Sequence, residues 1–210
     1  MKVLISAFSC GFGLGSEPGV GWNVAYELSR MHSVTVLTTH EYKSQNDSAM
    51  QDNPLINLKI EYFDLPLGLS RLNRRRSTQQ IYYYLWQIAA VRRVRRLHAV
   101  ECFDLCHHVS LVRYWAPSCL AWLNIPFVWG PVGGGEMTPK RLLESLRIKE
   151  RIFEWVKLLV SRMAEWDPFV RKTVRSANRI FASTTDTAER LKKMGAQNIV
   201  VQTQVGMTRS

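Results

Sequence analysis

Hydrophobic positions along the chain switch repeatedly between two periods. Residues 2–9 form an apolar run of strand length that ends in glycines, as a buried parallel strand feeding a tight turn would. Over residues 20–30, Val20, Val24, Ala25 and Leu28 recur at helical spacing, and residues 34–39 (VTVLTT) return to a β-branched strand pattern. These three segments predict a βαβ unit. The polar residues 41–53 read as a loop, residues 58–63 alternate as a third strand, and Pro66 closes it. A helix over residues 77–100 places Tyr83, Trp86, Ala90, Val94 and Leu97 on one face. Its other face carries Ile81, Leu85 and Ile88, continued by Arg92, Arg95 and Arg96.

The alternation persists to the end of the chain. A fourth strand at 104–110 leads to a loop with Arg113 and Tyr114, then a short helix at 117–123 and a fifth strand at 126–129. After the glycine run GPVGGGE come two mainly helical segments, 139–163 and 168–176, with Asp167 placed to cap the second and Pro168 at its first helical position. Residues 178–182 form a sixth strand. The next helix has Asp186 and Glu189 in capping-box-like positions and Gly195 as its stop, and residues 198–202 close as a final strand. The pattern predicts an α/β domain spanning residues 1–210, an open, mostly parallel Rossmann-like sheet with helices on both faces. Its ligand crevice should lie beyond the carboxyl ends of the strands, in the loops after Ser9, Val109, Trp129 and Ala182.

With 210 residues, 46% of them hydrophobic, there is enough chain for one substantial core. No stretch reaches the roughly 20 apolar residues of a spanning helix, and the first strand runs into glycines without a small-residue cleavage site, so the chain reads as cytoplasmic. The cysteines Cys10, Cys102, Cys106 and Cys119 form no CxxC pair. Cys102 and Cys106 lack a second ligand pair, and no metal is expected. The net charge of +11 implies an anionic partner. No Asp or Glu occurs between Leu65 and Val100, while Arg71, Arg74, Arg75 and Arg76 accumulate there beside Arg92, Arg93, Arg95 and Arg96. Apolar residues adjoining arginines on one helix face fit an anionic membrane surface. A solvated arginine face, or packing of Ile81, Leu85 and Ile88 on a neighbouring loop, fits the same pattern. Tyr82, Tyr83, Tyr84 and Trp86 could stack bases, but the helix needs them for its core and no recognition motif accompanies them, so nucleic acid is not expected.

The first loop, GFGLGSEPGVGW, holds five glycines just before a helix N-terminus. Bare amides and the positive helix end suit an anion or sugar hydroxyls, although glycines also serve a tight turn. The GxGxxG spacing of a dinucleotide site fails, because Ser16, Glu17 and Pro18 separate Gly15 from Gly19 and put a carboxylate where pyrophosphate would lie. Glu41, near the end of the second strand, keeps an NAD(P)-binding oxidoreductase as the alternative.

The strings GSEPGVGWNVAYELS, DLCHHVS and FVWGPVGGGE, in this order and separation, resemble the N-terminal domain of glycosyltransferase family 4 proteins. The resemblance covers nearly the whole chain. It implies a GT-B fold and retaining transfer of a sugar from a nucleotide-sugar donor to a sugar, lipid or polysaccharide acceptor held mainly by this domain. It assigns Gly13, Gly15, Glu17 and Gly19 to the donor phosphates and reaction centre. It also makes His107, then His108, the candidate contact to the transferred sugar. Neighbours on a strand point to opposite faces, so at most one histidine enters the cleft, and hydrogen bonding beneath the sheet is the other reading for either. Gly133, Gly134, Gly135 and Glu136 are expected on the acceptor side of the cleft, or as a turn. The nucleotide sugar is a co-substrate, and no cofactor is implied. The family's second domain, with its spaced glutamates and basic residue, is not in this sequence, so the chain is expected to transfer no sugar alone and to sit in the cytoplasm, at the inner membrane face if it meets lipid.

Overall fold

Strand β1 (Lys2–Ala7) sends alternate side chains into two cores, and this sets the layers. Val3, Ile5 and Ala7 pack with Trp22 and Ala25 of helix α1 (Ser16–Ser29). Leu4 and the adjoining Phe8 pack on the other side with Tyr82, Tyr83 and Trp86 of α3 (Gln79–Glu101). Phe8 meets all three aromatic rings edge-on, with centroids 5.1–6.1 Å away. The computed structural model describes residues 1–66, 68–69, 72–73, 78–136 and 147–202. Arg71, Arg74, Arg75 and Arg76, and the start of the helix read from residue 139, lie outside them.

Six further strands flank β1: β2 (Ser33–Thr38), β3 (Leu58–Tyr62), β4 (Leu105–Ser110), β5 (Phe127–Val132), β6 (Arg179–Ala182) and β7 (Ile199–Val201). They lie in the order β3-β2-β1-β4-β5-β6-β7, and every neighbouring pair is parallel. Helix α1 covers one face, while α3, a 3₁₀ turn at Cys119–Trp122, α5 (Pro168–Ser176) and α6 (Thr185–Lys193) cover the other. The predicted α/β sheet is therefore present.

Three local readings change. Residues 41–53 hold a 3₁₀ turn, His40–Tyr42, and helix α2 (Lys43–Asp52). That helix has no apolar stripe; Ala49 and Met50 pack against the core on the α1 side, the Tyr62 hydroxyl donates to Asp47 (3.0 Å), and Lys43 pairs with Asp47 within the helix. The segment at 117–123 shortens to the 3₁₀ turn, capped by the Ser118 hydroxyl, which accepts the Leu120 amide. Helix α6 begins two residues earlier than read: Thr184 is its N-cap and accepts the Thr187 amide, leaving Asp186 within the first turn. Asp167 does cap α5, accepting the Phe169 and Val170 amides, with Pro168 in the first turn.

Helix α1 approaches the end of β1 so closely that Gly21 has no room for a side chain: a Cβ there would lie 2.2 Å from the Ser9 carbonyl oxygen. At Gly15 nothing lies within 4 Å. Gly21→Ala should therefore cost about 3 kcal/mol in denaturant unfolding, whereas Gly15→Ala should change stability by no more than ~0.5 kcal/mol.

Candidate functional site

Because all seven strands are parallel, their carboxyl ends share one edge of the sheet. Succession runs from β1 outward to β2 and β3 on one side, and from β4 outward on the other, so the loops after β1 and β4 separate and leave a crevice between them.

The loop after β1 is pinned from behind. The Gly11 amide donates to the Pro18 carbonyl (3.0 Å) and the Phe12 amide to Oδ1 of Asn46 (3.0 Å). Nδ2 of buried Asn46 donates to the Cys10 carbonyl (2.9 Å), and the Gln45 amide reaches the Phe12 carbonyl. Ahead of these anchors Gly13 takes φ +67° and Ser16 φ +56°, a backbone region unfavourable for a non-glycine residue. Among the described residues nothing accepts the amides of Gly13, Leu14 or Gly15, all three of which are exposed. Gly19 differs from Gly13 and Gly15. Its Cβ would fall 2.1 Å from the Leu14 carbonyl oxygen, so its glycine lets the loop fold back on α1.

Glu17 spans the crevice. Its carboxylate accepts the Leu111 amide at 2.8 Å, tying the first turn of α1 to the end of β4, where Leu111 itself takes φ +54°. The β4 loop then reaches the glycine run after β5: Gly133 donates to the Val112 carbonyl (3.0 Å) and accepts the Tyr114 amide (3.1 Å). Gly134 takes φ +89°, and a Cβ on it would lie 3.6 Å from Arg113 Cδ.

Glu136 turns that run onto the N-terminus of α6. Its carboxylate accepts the Gly134 amide (3.1 Å), the Thr184 hydroxyl (2.9 Å) and the Thr187 hydroxyl (3.2 Å), while Thr187 Oγ1 accepts the Gly135 amide (3.1 Å). Partial burial pushes the carboxyl's pKa up, but the hydrogen bonds outweigh it and hold Glu136 below the ordinary 4.5. Thus the loop bearing Gly13, Gly15, Glu17 and Gly19 is joined to the run Gly133, Gly134, Gly135 and Glu136 through the β4 loop.

The two histidines diverge as strand neighbours must. His107 is half-buried, and its Nε2 donates to the Gly130 carbonyl (3.0 Å), which leaves Nδ1 as the acceptor. Burial lowers its pKa, and the bond to Gly130 offsets only part of that. His108 is fully buried under α3. Oε1 of Gln87 accepts the Cys119 amide (2.9 Å), so Gln87 presents its NH₂ to His108 (3.4 Å) beside the Tyr83 hydroxyl (3.2 Å). Burial first, and His107 second, lower the His108 pKa to about 3.

Arg92, Arg95 and Arg96 are exposed on α3, while Arg93 pairs with Glu61 at 2.6 Å. Cys10, Cys106 and Cys119 are buried, and burial raises all three thiols, Cys10 and Cys119 to about 12, which makes them poor nucleophiles. Among the described residues no three His, Cys, Asp or Glu converge as a metal cluster. Sequence reasoning missed Asn46 because its helix carries no apolar period. It also missed Thr184 and Thr187, although a threonine between a strand and a helix is an N-cap signal.

Two outcomes follow from these buried polar groups. The unfolded chain protonates His108 near pH 6.5 and the folded chain only near 3. The unfolded state therefore binds more protons in that window, and stability should fall as pH drops from 6.5 toward 3. His108→Gln should reduce the slope of a thermal-melting series just below pH 6.5, leaving the share that the lowered pKa of His107 supplies. Asn46→Ala should destabilise by about 2–3 kcal/mol and speed amide exchange at Phe12.

Comparison with known families finds that the model described as "Glycosyl transferase 4-like domain" matches residues 15–203. A search of curated proteins finds no match.

Proposed function

We propose, since the chain belongs to the glycosyl transferase 4-like family, that it is the acceptor-side half of a GT-B, retaining glycosyltransferase. In this reading it transfers a sugar from a nucleotide-sugar donor to an acceptor, and a donor-binding lobe outside residues 1–210 brings the activated sugar. The observation that carries the reading is the Glu17 brace. It sets exposed amides on one side of the switch-point crevice and the Gly133–Glu136 run on the other, linked through a single loop.

The chemistry asks for such a pairing. As the bond from the anomeric carbon to the donor phosphate breaks, positive charge develops on the sugar and negative charge on the departing phosphate. Fixed donors near the phosphate and a carboxylate near the sugar lower that barrier without reorganising during the reaction. The free amides of Gly13, Leu14 and Gly15 suit the first role and Glu17 the second. His107, held neutral with Nδ1 available, suits a sugar hydroxyl. Gly133, Gly134, Gly135 and Glu136 suit the acceptor side. His108, enclosed by Tyr83 and Gln87, suits support of the strand beneath. The NAD(P) alternative is disfavoured by the Glu17 carboxylate in the first turn of α1, where a dinucleotide's pyrophosphate would rest.

Titration calorimetry separates the two. The chain should bind neither NAD nor nucleotide sugars with micromolar affinity by itself, and sugar transfer should appear once a donor-binding lobe is joined to it. In that joined enzyme Glu17→Gln should lower kcat by about a hundredfold with little change in KM. Micromolar binding of NAD by the chain would overturn the reading.

A further inference from the structure

Helix α4 (Ile148–Ala164) carries an apolar row that nothing in the described fold covers. Ile152, Trp155, Leu159, Met163 and, just past the helix end, Trp166 follow at steps of three and four residues and therefore share one side. They are 59%, 73%, 52%, 66% and 75% exposed, while large aromatic and aliphatic residues elsewhere, such as Trp86, Trp129 and Leu120, are fully enclosed. The row spans about 21 Å of helix.

It continues onto the neighbouring elements. Next to Trp166, Asp167 accepts the Tyr84 hydroxyl of α3 at 2.6 Å. Tyr84 lies on the α3 face that bears Ile81 and Leu85, which are 55% and 37% exposed. The Arg171 guanidinium sits 5.2 Å from the Trp166 ring. Between residues 147 and 175 there are eight Lys and Arg against four Asp and Glu. Three of those acids are engaged internally: Glu150 caps α4, Glu165 pairs with Arg190 at 2.7 Å, and Asp167 caps α5.

From this geometry we infer that the α4 face docks the protein on an anionic lipid surface, lying in the plane of the headgroups. An exposed row led by tryptophans, with Lys and Arg in excess along the segment, matches shallow insertion into a headgroup layer. No described helix is long and apolar enough to cross a membrane, so the contact is peripheral. The α3 arginines singled out in the sequence are secondary here: Arg95 lies ten residues, about 15 Å, beyond Leu85 along the helix. This inference does not depend on the sugar-transfer reading.

The test is co-sedimentation of the chain with vesicles of phosphatidylcholine alone and of equal parts phosphatidylcholine and phosphatidylglycerol. Binding to the mixed vesicles is expected, with weak binding to the neutral ones and loss at high salt. The double variant Trp155→Ser/Leu159→Ser should partition about tenfold more weakly while keeping the wild-type melting temperature, because both side chains are exposed. Should that variant misfold, brominated phosphatidylglycerol provides a second readout and should quench tryptophan fluorescence of the unaltered chain. Absence of quenching, binding indifferent to phosphatidylglycerol, or a folded double variant that binds like wild type each overturns the proposal. So does a lipid-free dimer in sedimentation velocity that the double variant abolishes, which would assign the face to a second copy.

Discussion

Parallel pairing forces every strand to be followed by a crossover, so each carboxyl end delivers a loop to the same edge of the sheet. Everything chemically suggestive in this chain depends on that constraint. Residues as far apart as Glu17, Leu111 and Gly133 meet because β1, β4 and β5 run the same way, side by side at the point where succession reverses. Once the strands are aligned, one carboxylate and two backbone amides suffice to join three loops. A slip of one register in β4 would turn His108 out of the core and His107 into it, so the aromatic packing under α3 also fixes what faces the other way.

The core beneath the sheet is more polar than its size requires. Tyr83, Gln87 and His108 are enclosed with Trp86 and Trp129, and Asn46 is enclosed behind the glycine loop. Groups of this kind are costly if left without partners, and here their hydrogen bonds run to elements distant in sequence. Gln87 reaches the 3₁₀ turn through the Cys119 amide, and Asn46 reaches the first loop through Phe12 and Cys10. They specify which elements are adjacent, where apolar contacts alone would tolerate sliding.

The succession of strands and helices and their layering were legible because the apolar periods alternate cleanly and each glycine run follows a strand. The facing of α3 was legible for the same reason: Tyr83, Trp86, Ala90, Val94 and Leu97 are all buried. Helix α2 was hidden, since its one buried residue is an asparagine whose partners, the Phe12 amide and the Cys10 carbonyl, lie far away in sequence. The glycines were legible as a group but not individually. Gly13 and Gly15 open to solvent, whereas Gly19 and Gly21 answer to backbone atoms of their own chain. The α4 face was also hidden, because an apolar row has the same period whether it is enclosed or bare.

Glu136 gives the N-terminus of α6 a resident anion. A helix start ordinarily attracts phosphate, yet this one is already neutralised by a carboxylate gripped by two hydroxyls and an amide. A charged newcomer would have to break those three contacts and overcome like-charge repulsion, whereas a neutral hydroxyl could join the same threonines without evicting anything. The rim of the crevice is thereby biased against negative charge, and toward neutral hydroxyls, on its Glu136 side.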